Sequence, residues 1–98
     1  MVYSEFMESL SPSFKKQVEK GVNKLYENKF GNCKRLRPCC MSLNKHILLY
    51  ECRIDIGPGY RIYYTIYNHG IKILGAGAKK SQMRDINLIM NLLEKGLI

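Results

Sequence analysis

The sequence predicts a single α+β domain in which an antiparallel sheet is built between helices at the two ends of the chain. Both ends carry apolar residues at helical spacing, whereas apolar and polar residues alternate through the central region. Two stretches in that region, Gly57-Pro58-Gly59 and Asn68-His69-Gly70, are typical of tight turns between neighbouring strands. Helices, then a meander of three or four strands, then a last helix indicate the α+β class.

Three segments make up this domain, residues 1–98, and no linker or repeat separates them. Residues 1–30 are predicted to form a helical hairpin, residues 33–78 the antiparallel sheet and residues 81–96 a C-terminal helix. The two N-terminal helices are expected to pack on one face of the sheet. A chain of 98 residues can bury a modest core without disulfides or metals.

The helical hairpin has two helix starts. Ser4 can cap a short helix through Leu10, and Ser11-Pro12 begins a second helix, because serine suits the N-cap and proline the first helical position. This second helix is predicted to reach about residue 28, and its apolar side consists of Phe14, Val18, Val22 and Leu25 or Tyr26. Its other side carries Lys16, Lys20 and Lys24. A solvated surface is the default explanation of these lysines, and a ridge that binds a nucleic-acid backbone is the alternative.

The strands are predicted from their alternation. In HILLYECRIDI one face carries Leu48, Tyr50, Cys52, Ile54 and Ile56, and the other carries Glu51, Arg53 and Asp55. In the next strand one face carries Tyr60, Ile62, Tyr64 and Ile66, and the other carries Arg61, Tyr63, Thr65 and Tyr67. The turn between them suits type II, with Pro58 at its second position and Gly59 at positive φ. IKILGAGA is nearly all apolar, as expected for a strand at the centre of a sheet.

The C-terminal helix is predicted to begin at Ser81, which can cap it, and to have Gly96 near its end. Its apolar side consists of Met83, Ile86, Met90, Leu93 and Leu97. Just before it, Gly75-Ala76-Gly77 resembles a glycine-rich loop, but no nucleotide-binding pattern surrounds it. Close backbone packing or a bulge is the better explanation of these glycines, which can also let a substrate approach the end of the strand.

The composition indicates a basic protein. Sixteen Lys and Arg against eight Asp and Glu give a net charge of +8. This charge favours a polyanionic partner such as RNA, DNA or an acidic protein, and a merely soluble basic protein is the alternative. The first ten residues do not resemble a secretory signal, and the longest apolar run is too short to cross a bilayer. A cytoplasmic protein that does not span a membrane is therefore expected.

The four cysteines, Cys33, Cys39, Cys40 and Cys52, fit no metal-binding spacing, since two adjacent cysteines cannot easily face one ion. Cys52 is predicted to lie in the core because it alternates with apolar neighbours. His46 and His69 have no partners that indicate a nucleophilic triad. Neither a metal nor a cofactor is predicted.

Cations from separate segments are predicted to converge at one end of the sheet. If the apolar face packs on the helices, Arg53 and Arg61 share the opposite, open face with Tyr63. Lys79 and Lys80 lie where the last strand ends and the last helix begins, and a helix N-terminus adds exposed N–H groups. Arginine can grip a phosphate in a fork, and tyrosine can stack on a base. For any single residue, an inconsequential surface ion pair is the alternative.

Two stretches, LYECRIDIGPGYRIYY and IKILGAGAKKSQMRDINLIMNLL, resemble the RelE/ParE superfamily of bacterial toxins, and within it the HigB-like addiction-module killer proteins. That branch typically carries Tyr-Glu-Leu-Arg-Ile, then Gly-Pro-Gly-Tyr-Arg-Val-Tyr, then Gly-Asp-Lys-Lys-Thr-Gln and an Asp-Ile helix. The counterparts here are residues 50–54, 57–63, 77–82 and Asp85-Ile86. EFMESLSPSFKKQVEKGVNKLYENKFGNCKRL also looks like that family's helical hairpin and basic strand, so the resemblance covers essentially the whole chain.

The resemblance implies a RelE-like, microbial-RNase-like sheet and the toxin of a type II toxin–antitoxin system, an endoribonuclease that cleaves mRNA in the ribosomal A site without a metal. In that chemistry the ribose 2′-hydroxyl attacks the adjacent phosphate while cations stabilise the transition state. By position, Arg61 should contact the scissile phosphate, Lys79 should be a second phosphate clamp, and Asp85 a base or orienting carboxylate. Contacts to RNA are expected at Arg53, Lys80, Tyr63, Lys34, Arg35 and Arg37.

Three differences from the family pattern bear on activity. The opening strand is absent or reduced to residues 1–3, Ala78 replaces the aspartate before the lysine pair, and no histidine or C-terminal tyrosine takes the usual proton-transfer position. Loss of a proton-transfer group can lower a rate ~10²–10⁴-fold. A ParE-type inhibitor of DNA gyrase and a nucleic-acid-binding member without activity are therefore alternatives. The expected partners are a helix-turn-helix antitoxin and the mRNA, with oligomers formed only through the antitoxin.

Overall fold

The computed structural model shows four β-strands and three α-helices along the residues it describes, which are 2–27, 33–40, 46–67 and 70–95. Side chains are described within 2–27, 49–66 and 70–95. The helices are α1 (Tyr3–Glu8), α2 (Pro12–Tyr26) and α3 (Gln82–Glu94), and a single 3-10 turn, Lys79–Ser81, precedes α3. The strands are β1 (Cys33–Cys40), β2 (His46–Ile54), β3 (Tyr60–Tyr67) and β4 (Gly70–Ala78). The chain is therefore α+β, as the sequence predicts.

Two of the three predicted helix starts are found in place. Ser11 is the N-cap of α2, with Pro12 as the first helical residue, and Ser81 is the N-cap of α3. Neither serine hydroxyl makes a capping hydrogen bond. The prediction that Ser4 caps α1 is wrong, because Ser4 lies inside the helix and Val2 is its N-cap.

The four strands form one antiparallel sheet in the order β1-β2-β3-β4, so each strand pairs with the next in the chain. The predicted meander is confirmed. The expectation that the last strand lies at the centre of the sheet is wrong, because β4 is at the edge. The apolar composition of β4 is not explained by a central position in the sheet. The N-terminal helices cover one face of the strand and α3 covers the other.

The larger apolar core lies between the sheet and the two N-terminal helices. Alternation along the strands turns Cys52 and Ile62 toward these helices, as the sequence predicts. The rings of Phe6 and Phe14 meet the Tyr60 ring edge to face, with centroids 5.5 and 5.9 Å away. The buried residues of α2 are Val18, Val22 and Leu25. Each fully buried side chain of this kind contributes about 1.5–3 kcal/mol, so this layer fixes the hairpin on the sheet.

A second, smaller core lies on the other face of the sheet, beneath α3. Its members are Leu49, Tyr63, Leu74, Ile89 and Leu93. The sequence predicts that this face is open, and that prediction is wrong because α3 covers it. Met83, predicted on the apolar side of the helix, is instead 71% exposed. The sheet is therefore sandwiched between helices, and two residues that alternate away from the first core, Leu49 and Tyr63, are buried in the second.

The turn between β2 and β3 closes one residue earlier than predicted. Its hydrogen bond joins the Gly59 N–H to the Ile56 carbonyl oxygen (2.8 Å), which places Gly57 second in the turn and Pro58 third. Gly57 and Gly59 have positive φ, 50° and 84°. The expected role of Gly59 is therefore confirmed, and that of Pro58 is wrong. Position 57 needs glycine for a further reason, since the Phe14 ring packs against it.

Replacing Gly57 with alanine is expected to lower the free energy of unfolding by about 1–3 kcal/mol. The new Cβ would lie 2.8 Å from Phe14 Cζ, and alanine disfavours the positive φ of this position. Gly59→Ala is the matched control, because its φ is also positive but its nearest contact, Lys79 Cβ at 3.5 Å, is ordinary. Urea unfolding would measure both variants, and equal losses would contradict a role for the Phe14 ring.

Candidate nucleic-acid interface at the Gly59 turn

Arg61, the first candidate residue, is anchored in the protein interior. Its side chain is 7% exposed, and its Nε lies 2.6 Å from Glu51 Oε1. The Nε–H does not point at that oxygen as a hydrogen bond requires, so charge attraction joins the two groups as an ion pair. At another corner of the guanidinium, Nη1 donates to the Tyr60 carbonyl oxygen (3.0 Å). The prediction that Arg61 lies on an open face is therefore wrong.

The sequence places Glu51 on the same face as Arg61 without indicating a role for it. The Glu51 side chain is 3% exposed, and its Oε1 also accepts a hydrogen bond from Gln82 Nε2 (3.0 Å) at the start of α3. A carboxylate is costly to remove from water unless it is paired, and here one oxygen meets both an arginine and an amide. Glu51 therefore connects β3 to α3.

Arg61 and Lys79 come together on either side of Gly59. The Lys79 N–H donates to the Gly59 carbonyl oxygen (2.9 Å), which holds the end of β4 against the turn. A side chain at position 59 would begin 3.8 Å from Arg61 Nη1 and 3.5 Å from Lys79 Cβ. Gly59 is half-buried and has no side chain, so a small space, in which a Cβ would be in ordinary contact with both neighbours, separates the two cationic residues. We call this space, flanked by Gly59, Arg61 and Lys79, the Gly59 gap.

Exposed charges lie near the Gly59 gap. Lys79 and Lys80 are exposed on the 3-10 turn, and Arg53 is exposed on β2, directly opposite Arg61 in the strand pairing. Asp55 Oδ1 lies 4.0 Å from Arg61 Nη1, and the Asp55 side chain is 79% exposed. Such an exposed carboxylate is held weakly, so it can move aside for a ligand. The structure thus brings together four cations that the sequence predicts at this end of the sheet.

Tyr63 is not placed to stack on a base. It is 0% exposed beneath α3, so the predicted RNA contact does not fit this structure. Its buried hydroxyl has no hydrogen-bond partner among the described residues. Burial raises the pKa of this phenol, the charges of Glu51 and Asp85 raise it further, and Arg61 opposes them. Tyr63 is therefore neutral near pH 7 and cannot serve there as a proton acceptor.

Replacing Tyr63 with phenylalanine is expected to leave stability at neutral pH unchanged or slightly raised, because the lost hydroxyl is buried without a partner in the described structure. At alkaline pH the stability of the variant should rise relative to that of the wild type. The phenol pKa is about 10 in the unfolded chain and higher in the folded protein. The contribution of Tyr63 is therefore complete below about pH 10 and is lost above it, by up to about 1.4 kcal/mol per pH unit.

Urea unfolding of the wild type and Tyr63→Phe at about pH 8 and about pH 11 would measure this difference. The other tyrosines and the lysines titrate in both proteins, so the comparison isolates the one phenol. A wild type that loses no more stability than the variant between the two pH values would contradict the assignment.

Asp85 is buried where β4 meets α3. It lies in the first turn of α3 and is 4% exposed. The Ser81 hydroxyl lies 2.6 Å from Asp85 Oδ2 and 3.1 Å from the Ala78 carbonyl oxygen, and it can donate its one proton to either. The carboxylate fills the space beside Gly77, where a Cβ would overlap it. Close packing therefore explains this glycine, and the predicted base lies in the interior.

Three predicted RNA-binding residues, Lys34, Arg35 and Arg37, belong to β1. Their side chains lie outside the described residues. In the backbone pairing Lys34 is opposite Glu51 and Arg35 is opposite Tyr50, so β2 separates this basic stretch from β3 and from Arg61.

The comparisons with known proteins add no identification. No family model, no curated protein and no solved structure matches the chain. In the parts of the chain that the structure describes, none of the helices is long and apolar enough to span a bilayer. The function must therefore be inferred from the residues at the Gly59 gap and from the sequence pattern.

Proposed function

We propose that this chain is a RelE-like toxin of a type II toxin–antitoxin pair and acts as an endoribonuclease on mRNA in the ribosomal A site. The observation that carries the proposal is the Gly59 gap, where Arg61 Nη1 and the stem of Lys79 lie beside the same glycine and so bring two cationic side chains together. The glycine-proline-glycine block that forms this turn is also the most specific part of the resemblance to the RelE/ParE superfamily. The net charge of +8 favours a polyanionic substrate.

The two cations suit cleavage by the ribose 2′-hydroxyl. The 2′-oxygen forms a bond to phosphorus while the bond from phosphorus to the 5′-oxygen breaks. This leaves a cyclic phosphate, and the departing 5′-oxygen takes a proton from water to become a hydroxyl. Negative charge grows on the phosphoryl oxygens during this step, and Arg61 and Lys79 would stabilise it from the two sides of the gap. One such preorganised group commonly contributes about 10²–10³-fold to a rate.

The proton that leaves the 2′-hydroxyl needs an acceptor near the gap. Asp85, the predicted base, is buried against Gly77, and Tyr63 is buried and neutral. Asp55 is an exposed carboxylate within 4.0 Å of Arg61 Nη1. Among the residues that the structure describes, Asp55 is therefore the candidate to accept this proton from a substrate bound at the gap.

A second candidate function is nucleic-acid binding without cleavage. The burial of both Asp85 and Tyr63, 4% and 0% exposed, is the observation that favours it. The exposed cations at the gap would still hold a phosphate, but slow proton transfer would leave the chain of the RNA intact.

The proposal includes a partner that neutralises the toxin. A small helix-turn-helix antitoxin with an acidic segment would complement the exposed lysines beside the gap. Oligomers would then form through the antitoxin, and the site of action would be the cytoplasm, where translating ribosomes are found.

The test is expression of the wild-type chain from a tightly regulated promoter. Primer extension would compare a translated reporter mRNA with the same mRNA lacking its start codon. The nuclease predicts growth arrest and cuts within codons that require translation. Growth arrest with intact mRNA would favour a gyrase inhibitor, and RNA binding without arrest or cuts would favour the second candidate.

A further inference from the structure

We propose that Glu51 is the positioning residue of the phosphate site at the Gly59 gap, a role that rests on the proposed function. Glu51 holds the inner corner of the Arg61 guanidinium and so directs Nη1 toward the gap. The residue acts through Arg61 and is not itself expected to contact the RNA.

Two contacts fix the Arg61 guanidinium in place. Glu51 Oε1 lies 2.6 Å from Arg61 Nε, and the two side chains are 3% and 7% exposed. A guanidinium is planar, with its donors in a fixed fork. Glu51 at Nε, through charge attraction, and the Tyr60 carbonyl oxygen at Nη1, through a hydrogen bond, therefore hold the group at two points. An arginine fixed in this way loses little rotamer freedom when a phosphate binds, which favours a rapid reaction.

The same short segment that supplies the second cation also orients Glu51. Lys79 begins the 3-10 turn and Gln82 is the first residue of α3. Gln82 Nε2 donates to Glu51 Oε1 (3.0 Å), while the Lys79 N–H donates to the Gly59 carbonyl oxygen (2.9 Å). One short segment, residues 79–82, therefore contacts both Glu51, which holds Arg61, and the turn beside Lys79.

A structural ion pair is the competing explanation. Buried pairs of this kind seldom add net stability over apolar residues of the same size. Stability alone therefore does not account for a carboxylate at position 51. Its contact with Arg61, whose Nη1 lies beside the gap, is explained by a need to fix that arginine.

The first test uses Glu51→Gln, which keeps the shape of the side chain and removes its charge. On mRNA-programmed ribosomes we expect kcat to fall about 10-fold or more while KM changes less than about threefold, because the loss is in transition-state stabilisation. In an Arg61→Ala background the same substitution should cause no further loss. A further loss of similar size in that background, or an unchanged kcat in the wild-type background, would overturn the proposal.

The second test needs no activity, and its first comparison uses the wild type alone. Hydrogen exchange of arginine Nε–H groups, followed by NMR, would compare Arg61 with the exposed Arg53 and Arg84 of the wild type. We expect the Arg61 Nε–H to exchange at least about tenfold more slowly, because the ion pair with Glu51 keeps the side chain buried, and Glu51→Gln to reduce that protection by letting the guanidinium move toward water. Exchange of Arg61 as fast as that of the exposed arginines would overturn the hold on which the proposal depends.

The two tests separate the inference from the proposed function. If the wild type cuts no mRNA while Arg61 Nε–H is protected, the proposed nuclease activity is wrong, and so is a role for Glu51 in cleavage. The ion pair between Glu51 and Arg61 would still be supported. If the wild type cuts mRNA while Arg61 Nε–H is unprotected, the nuclease stands and the role of Glu51 is wrong. Gln82→Ala, which removes only the amide from Glu51, is expected to give a smaller loss of protection than Glu51→Gln.

Discussion

Replacing Glu51 with alanine is expected to lower the free energy of unfolding by about 3–5 kcal/mol. The substitution leaves the Arg61 guanidinium, whose side chain is 7% exposed, without the carboxylate that lies 2.6 Å from its Nε. An uncompensated buried charge is among the costliest single changes in a protein interior. Domains of this size are stable by only about 5–15 kcal/mol, so much of the total would be lost. Urea unfolding at neutral pH would measure it.

The matched control removes both charges. Glu51→Leu combined with Arg61→Met keeps the volume of the pair and leaves no buried ion, so it should recover most of the stability. A loss below about 1 kcal/mol in Glu51→Ala would contradict the buried pair, because that is the size expected for exposed pairs.

Replacing Gly77 with alanine is the second large effect expected. The new Cβ would overlap Asp85 Oδ2 and lie 2.8 Å from Asp85 Cγ. Asp85 lies in the first turn of α3 and is buried, so the carboxylate has little room to move and the start of the helix must shift. Overpacking of this kind typically costs about 1–3 kcal/mol. Thermal or urea unfolding would measure the loss.

A second substitution identifies the cause of that loss. Asp85→Ala removes the overlapping carboxylate, so Gly77→Ala should cost less in the Asp85→Ala background than in the wild type. Equal costs in the two backgrounds would show that the overlap with Asp85 is not the reason for glycine at position 77.

Local chemistry explains which parts of the fold the sequence predicts correctly. The predicted sheet, residues 33–78, has the bounds of the observed strands, from Cys33 to Ala78. The start of α2 at Pro12 is also correct. Proline at the first helical position and alternation along a strand are properties of a few neighbouring residues, so one sequence is enough to display them.

Neighbouring residues in a strand do not determine which helix packs on each face of the sheet. Alternation correctly puts Glu51, Arg61 and Tyr63 on one face, but it does not say what packs on that face. The cover is α3, which lies far along the chain. One signal was present in the sequence, since Leu49 is an apolar residue on the face predicted to be polar, and it belongs to the second core.

The same limit applies to the candidate site. Antiparallel pairing of β3 with β4 sets Tyr60 opposite Ala78, so the sequence could place Lys79 beside the turn that precedes Arg61. It could not show the ion pair of Arg61 with Glu51, because that contact depends on side-chain direction and on burial by α3. The candidate site therefore consists of cations that the sequence predicts and of a carboxylate, Glu51, that pairs with Arg61 and for which the sequence indicates no role.

The most direct test of the phosphate site compares Lys79→Ala with Lys20→Ala for translation-dependent cleavage of a reporter mRNA. Both lysines are exposed, so neither substitution should unfold the protein, and each lowers the net charge equally. If the Gly59 gap binds the scissile phosphate, Lys79→Ala should reduce cleavage about 10²–10³-fold, and Lys20→Ala less than about threefold. Equal effects of the two substitutions would contradict the account, because they would show that overall charge and not the Gly59 gap determines the activity.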